Sequence, residues 1–122
     1  MRRVAAALLL AGPAAALPAD PLPSLIGNRV AGTPVDCIER AEIDKVRLVA
    51  NVGFVFEMKT RGVLYLNRVT SGRTFVHDGV TPLIEPASSR LCSVEPVQLL
   101  NENSHAPVAS VTLGAFTPFQ RP

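Results

Sequence analysis

Apolar and polar positions alternate with period two through most of the chain after Val46. Val46, Leu48 and Ala50 alternate with Arg47 and Val49. Phe54, Phe56 and Met58 take one side of the next run, and Val55 and Glu57 the other. Over residues 63–69, Leu64 and Leu66 share one face while Tyr65 and Asn67 share the opposite one. Turn residues bound these runs at 51–53, 60–62 and 70–72. Alternation between turns is the pattern of half-buried strands joined in a meander. Asp78-Gly79 separates residues 73–77 from 80–84, and such a dipeptide predicts a two-residue hairpin because both turn positions need positive φ.

The remaining strands are less regular. Residues 85–90 read as a loop. Residues 91–100 hold one or two short strands, interrupted at Pro96, which lacks the N–H a ladder needs. A polar loop over 101–107 precedes a last strand at 108–113, and Gly114-Ala115-Phe116 closes the domain. Upstream, residues 37–43 read as one short helical turn leading into the first strand. No helix of ten residues or more and no internal repeat is visible. The predicted fold is mainly β, a small antiparallel meander of five to eight strands forming a barrel or sandwich, with at most one short helix.

The start of the chain follows a different pattern. Met1-Arg2-Arg3 is positively charged, residues 4–11 are apolar, Gly12-Pro13 breaks the run, and small residues follow to Ala19. This is the layout of a secretory signal peptide over residues 1–19, with cleavage after Ala16 or Ala19. The apolar run falls short of the ~20 residues that span a membrane. Residues 20–35, rich in Pro and Gly and without periodicity, read as a poorly ordered linker. A single β domain is expected over 36–119, in the periplasm or outside the cell.

Removal of that segment changes the charge. The whole chain carries 12 Lys+Arg and 10 Asp+Glu; without Arg2 and Arg3 the two signs balance. No basic stripe is left to displace counterions from phosphates, which argues against nucleic-acid binding. No polybasic or amphipathic segment is left as a membrane anchor. With five Phe, one Tyr and no Trp, the core must rest on Val, Leu and Ile.

The reactive side chains are few. Cys37 and Cys92 are the only cysteines, and in an oxidising compartment two cysteines most simply form one disulfide. A metal site would have to draw on Cys37, Cys92, His77 and His105, without the close ligand pairs of structural zinc sites; neither metal nor cofactor is expected. A Cys–His nucleophile pair has no local signature. Ser71, Ser88 and Ser89 read as loop serines, and Ser71-Gly72-Arg73-Thr74 lacks the lysine and helix of a phosphate loop. Glu39 and Glu42 can share one face of a short helix. The most polar stretch within an apolar strand is Tyr65, Asn67 and Arg68, with Glu57 of the preceding strand expected on the same side as Tyr65 and Asn67. The plain reading is a solvent-facing ladder of cross-strand pairs; the sharper one is a binding surface centred on Tyr65.

Five short motifs occur in order: Asp36-Cys37-Ile38 with Ile43, Phe54-Val55-Phe56-Glu57-Met58, Tyr65-Leu66-Asn67-Arg68, Leu91-Cys92-Ser93-Val94-Glu95, and Leu113-Gly114-Ala115-Phe116-Thr117-Pro118. On these the chain resembles a family of small uncharacterised exported proteins of alphaproteobacteria. That family has four cysteines. Where it places its second and fourth, this chain has Thr74 and Val111, so the resemblance implies that one pair is missing and that Cys37 and Cys92 are the other. The family's Arg-Gly-Gly turn is replaced by Lys59-Thr60-Arg61-Gly62. The resemblance implies architecture and compartment and supplies no catalytic residue. The expected role is a non-enzymatic binding or interaction module of the cell envelope, with an envelope protein or small ligand as partner. The alternatives are a small periplasmic hydrolase or other enzyme, and an inhibitor of a periplasmic enzyme.

Overall fold

A computed structural model describes residues 22–60, 62–84 and 90–122. The expected signal peptide, Arg61, and Ser88 and Ser89 lie outside the described residues. The chain forms α1 (Leu22–Ile26), β1 (Val30–Ala31), β2 (Cys37–Glu39), β3 (Ile43–Val49), β4 (Gly53–Met58), β5 (Leu64–Arg68), β6 (Val80–Pro82), β7 (Arg90–Cys92), β8 (Pro96–Asn101), β9 (Pro107–Thr112) and β10 (Phe116–Gln120). Among the described residues all ladders are antiparallel. A five-stranded sheet has the order β1-β10-β5-β4-β3, a three-stranded sheet the order β6-β8-β9, and β2 pairs with β7 alone. The fold is mainly β, as the alternation predicts, and among the described residues no closed barrel forms.

The five-stranded sheet is buried on both faces. Phe54 and Phe56 of β4 and Phe116 of β10 are fully buried on one face. They join a cluster with Val97, Leu99 and Val111 of the three-stranded sheet and Ile38 and Leu91 of the β2–β7 ribbon. The Phe56 and Phe116 rings lie 5.6 Å apart and tilted, a favoured aromatic geometry. Val49, Val55, Leu64 and Leu66 form a second cluster on the other face, where Leu22 and Leu25 of α1 pack over them. The expected poorly ordered linker over 20–35 is therefore corrected for its described part. Its scattered leucines cover a sheet face, and its two-residue strand pairs Val30 with Gln120 and Ala31 with Phe119. Arg29 fixes the arrangement: Nη1 donates to the carbonyls of Leu25 (3.2 Å) and Ile26 (3.1 Å), and Nε to that of Gly62 (2.8 Å) on the β4–β5 turn. Carbonyls at a helix end have no partner within the helix, and this guanidinium satisfies two of them.

Two local expectations are also corrected. Residues 73–77 do not form a strand; Arg73–Phe75 make a 3-10 turn that starts from Gly72 at φ 80°, and the Val76 carbonyl accepts the Asn51 N–H at 2.9 Å. Asp78-Gly79 therefore joins no hairpin, and β6 pairs with β8 instead. Residues 37–43 are strand first: β2 precedes a 3-10 turn at Arg40–Glu42. Pro96 opens β8 and so separates β7 from β8, as its missing N–H requires. The outer edge of β3 carries Lys45 and Arg47 and an irregularity between Ile43 and Lys45, features that discourage another strand from adding there.

Candidate functional site

β5 places Tyr65 and Asn67 on the face of the main core, because Leu64 and Leu66 point to the second cluster beneath α1. The solvent-facing ladder expected for Tyr65 and Asn67 is thus corrected. Asn67 is fully buried. Its Nδ2 donates to the Gly114 carbonyl at 2.7 Å, and its Oδ1 accepts the Gly114 N–H at 2.8 Å. The amide replaces a strand partner for a peptide group that lies outside any ladder. Gly114 is required there, since a Cβ at this position would lie 2.4 Å from the Arg68 carbonyl oxygen.

The surface expected from Tyr65, Asn67, Arg68 and Glu57 does not assemble. Glu57 stands directly opposite Leu64, which puts it on the other face from Tyr65, and its carboxylate accepts from Arg47 Nε. Arg68 is exposed at the end of β5, opposite Gly53. Tyr65 alone reaches a site. It is half-buried, edge-on to Phe116 with centroids 6.5 Å apart, and lines an open cleft of about 340 Å³.

The cleft forms where the main sheet runs out from under its cover. Met58, Tyr65 and Gln120 come from the ends of β4, β5 and β10, with Thr60 and Val63 from the β4–β5 turn. Cys37, Ile38 and Glu39 of β2, Arg90 of β7 and Glu42 of the 3-10 turn supply the rest of the lining. Glu39 and Glu42, which the sequence reading placed together on a helical face, do line one site, though from a strand and a turn. Arg90 Nε lies 3.6 Å from Glu39 Oε1, and both side chains are more than half exposed.

The β2–β7 ribbon is held by a disulfide. Cys37 and Cys92 are directly opposed in its ladder, with Cα atoms 4.0 Å apart. The prediction of this bond stands. Such closeness matches a pair that exchanges no backbone hydrogen bonds. The Cys92 N–H accordingly turns away and donates to Glu95 Oε2 at 2.7 Å. Glu95 Oε1 accepts from Arg40 Nη2 at 3.2 Å, and Arg40 Nε donates to the Arg90 carbonyl at 3.1 Å. A carboxylate and a guanidinium so brace the ribbon from outside the ladder.

The bond also removes both cysteines from any metal or nucleophile role. His77, with Nδ1 2.9 Å from the Asp78 carbonyl, is exposed. His105 is exposed on the β8–β9 loop, and neither histidine lines the cleft. Ser71 to Thr74 border a separate shallow depression, where Thr112 bonds the loop to β9. Among the described residues no helix is long and apolar enough to cross a membrane. Comparison of the chain with protein-family models, with curated proteins and with solved structures gives no match.

Proposed function

We propose that this chain is an exported binding module of the cell envelope, and that a partner protein or small ligand seats in the cleft over Tyr65. The cleft itself carries this reading. Small-ligand sites are concave and largely apolar, with a few polar groups converging on them. Here Ile38, Met58, Val63 and Tyr65 give the apolar part, while Glu39, Glu42, Thr60, Arg90 and Gln120 converge on the same space. The volume lies at the small end of the usual range of roughly 300–1,000 Å³. The disulfide fits an oxidising compartment. A non-enzymatic role is supported by the bonded cysteines and by two histidines that stand on exposed turns away from the cleft.

Affinity capture from periplasmic extract tests the reading. Tagged wild type and an Arg68→Ala control should retain the same partner or ligand, read by mass spectrometry. Tyr65→Ala and Gln120→Trp, which empties the floor or fills the mouth, should each lose it while keeping the wild-type far-ultraviolet spectrum. Equal retention by folded cleft variants would overturn the proposal.

A further inference from the structure

We infer that the disulfide gates the cleft: oxidised, it holds the wall against the floor, and its reduction by a dithiol dissolves the wall while the main sheet stays folded. This inference rests on the cleft as the binding site. The wall and floor belong to different units. Met58, Tyr65 and Gln120 sit on strands of the five-stranded sheet and Val63 directly precedes β5, whereas Cys37, Ile38, Glu39 and Arg90 sit on the ribbon. Among the described residues no strand ladder joins the ribbon to either larger sheet; backbone bonds between Val35 and Phe116 and from the Val94 N–H to the Leu113 carbonyl anchor only its flanks.

The ribbon's own ladder is short. It comprises Cys37↔Cys92, Ile38↔Leu91 and Glu39↔Arg90, and an isolated two-stranded pairing is marginal in water. Of its three side-chain pairs, the covalent one is Cys37–Cys92. Ile38–Leu91 is buried in the main cluster, and Glu39–Arg90 is an exposed ion pair, which by itself contributes little. Outside the ladder, the Ser93 N–H donates to the Asp36 carbonyl at 2.6 Å, and Arg40 bridges Glu95 and Arg90. The five-stranded sheet, by contrast, has its own continuous ladders from β3 to β10. Loss of the bond therefore falls first on the ribbon.

Both cysteines are half-buried rather than buried, and Cys37 lines the open cleft. That opening gives a thiolate a route to Cys37 Sγ. The attacking sulfur of the dithiol bonds to Cys37 Sγ as the Sγ–Sγ bond breaks, and Cys92 leaves as a thiolate and takes up a proton. The second thiol of the reductant then displaces Cys37, again with protonation. The products are two protein thiols and the oxidised dithiol, with two electrons transferred. A ligand seated in the cleft would cover Cys37 and slow the first attack, so occupancy and oxidation favour each other.

Backbone ¹⁵N relaxation of the oxidised and dithiothreitol-reduced protein tests the gate, with reduction verified by two added carbamidomethyl groups in quenched aliquots. On reduction, order parameters at residues 37–39 and 90–93 should fall from about 0.85 to below about 0.6, while those of β4, β5 and β9 hold. Tyr65 and Met58 side-chain signals should shift, and air oxidation should restore them. A Cys37→Ser/Cys92→Ser variant should match the reduced protein without reductant. Should it fail to fold, the dithiothreitol series on wild type still decides. Unchanged ribbon order in fully reduced protein would overturn the gate. So would loss of dispersed signals throughout, since the bond would then hold the whole fold rather than the wall. Reduced protein that captures the cleft-dependent partner as well as oxidised protein would also end the gate but leave the cleft reading intact. Capture that ignores Tyr65→Ala would end the cleft reading, while the relaxation data would still report whether the wall is released.

Discussion

Asn67→Ala should be among the most damaging single substitutions in this chain. The asparagine is fully buried, and its amide makes paired hydrogen bonds to the N–H and carbonyl of Gly114 at 2.8 and 2.7 Å. Alanine removes both partners and leaves a buried peptide group with none. Each stranded group costs about 1–3 kcal/mol, so the two together cost about 2–6 kcal/mol before the small void adds to it. Against the 5–15 kcal/mol typical of a domain, that is enough to halve the stability of a modest one. Urea unfolding should show a lower midpoint with an unchanged slope. Asn67→Asp separates hydrogen bonding from shape. Its carboxylate can accept the Gly114 N–H, but only its protonated form can donate to the Gly114 carbonyl. Burial and the facing carbonyl raise the folded-state pKa above the unfolded one. The variant's stability is then fullest below the unfolded carboxyl range and is lost as pH rises through the folded value. It should accordingly be weaker at neutral pH than in mild acid, relative to wild type. A loss under about 1 kcal/mol for Asn67→Ala, or no pH dependence for Asn67→Asp, would refute this account.

Other substitutions test separate features. Cys37→Ser or Cys92→Ser should each cost roughly 2–4 kcal/mol by denaturant titration, and the double variant no more than either single. Val94 holds φ 61° with 78% of its surface exposed, so Val94→Gly should raise stability by about 1 kcal/mol. Arg29→Ala removes the guanidinium that ties α1 to the β4–β5 turn; about 1–2 kcal/mol should be lost, with faster amide exchange over 22–26. Protein sequencing of exported material should begin at Leu17 or Asp20, and an intact Met1 would remove the export reading.

The alternation in β4 and β5 assigned their faces correctly: Phe54 and Phe56 do oppose Val55, and Leu64 and Leu66 do oppose Tyr65 and Asn67. What period two does not state is which face meets water. That depended on Leu22 and Leu25, about forty positions upstream in an unpatterned segment, covering the leucine side. β10 was equally hard to read, because Pro118 interrupts it. The Pro118 carbonyl accepts the Gly32 N–H at 2.8 Å. A residue's N–H and carbonyl point the same way across an antiparallel ladder. The missing N–H therefore faces the short edge strand and deprives β5 of nothing. The Asp78-Gly79 signal was real as a turn, but pairing chose β8 over the preceding segment. The disulfide was legible because only one pairing exists. The cleft was not, since its lining runs from Cys37 to Gln120 without a local motif.

The pairing of β1 with β10 joins residue 30 to residue 120, and β10 in turn lies between β1 and β5. The last of the described strands is thus an interior strand of the largest sheet. Until it arrives, β5 has an open flank and β1 has no partner. Contacts so distant along the chain also form slowly, because loop-closure entropy opposes them. The five-stranded sheet thus closes late, once residues about ninety positions apart have met.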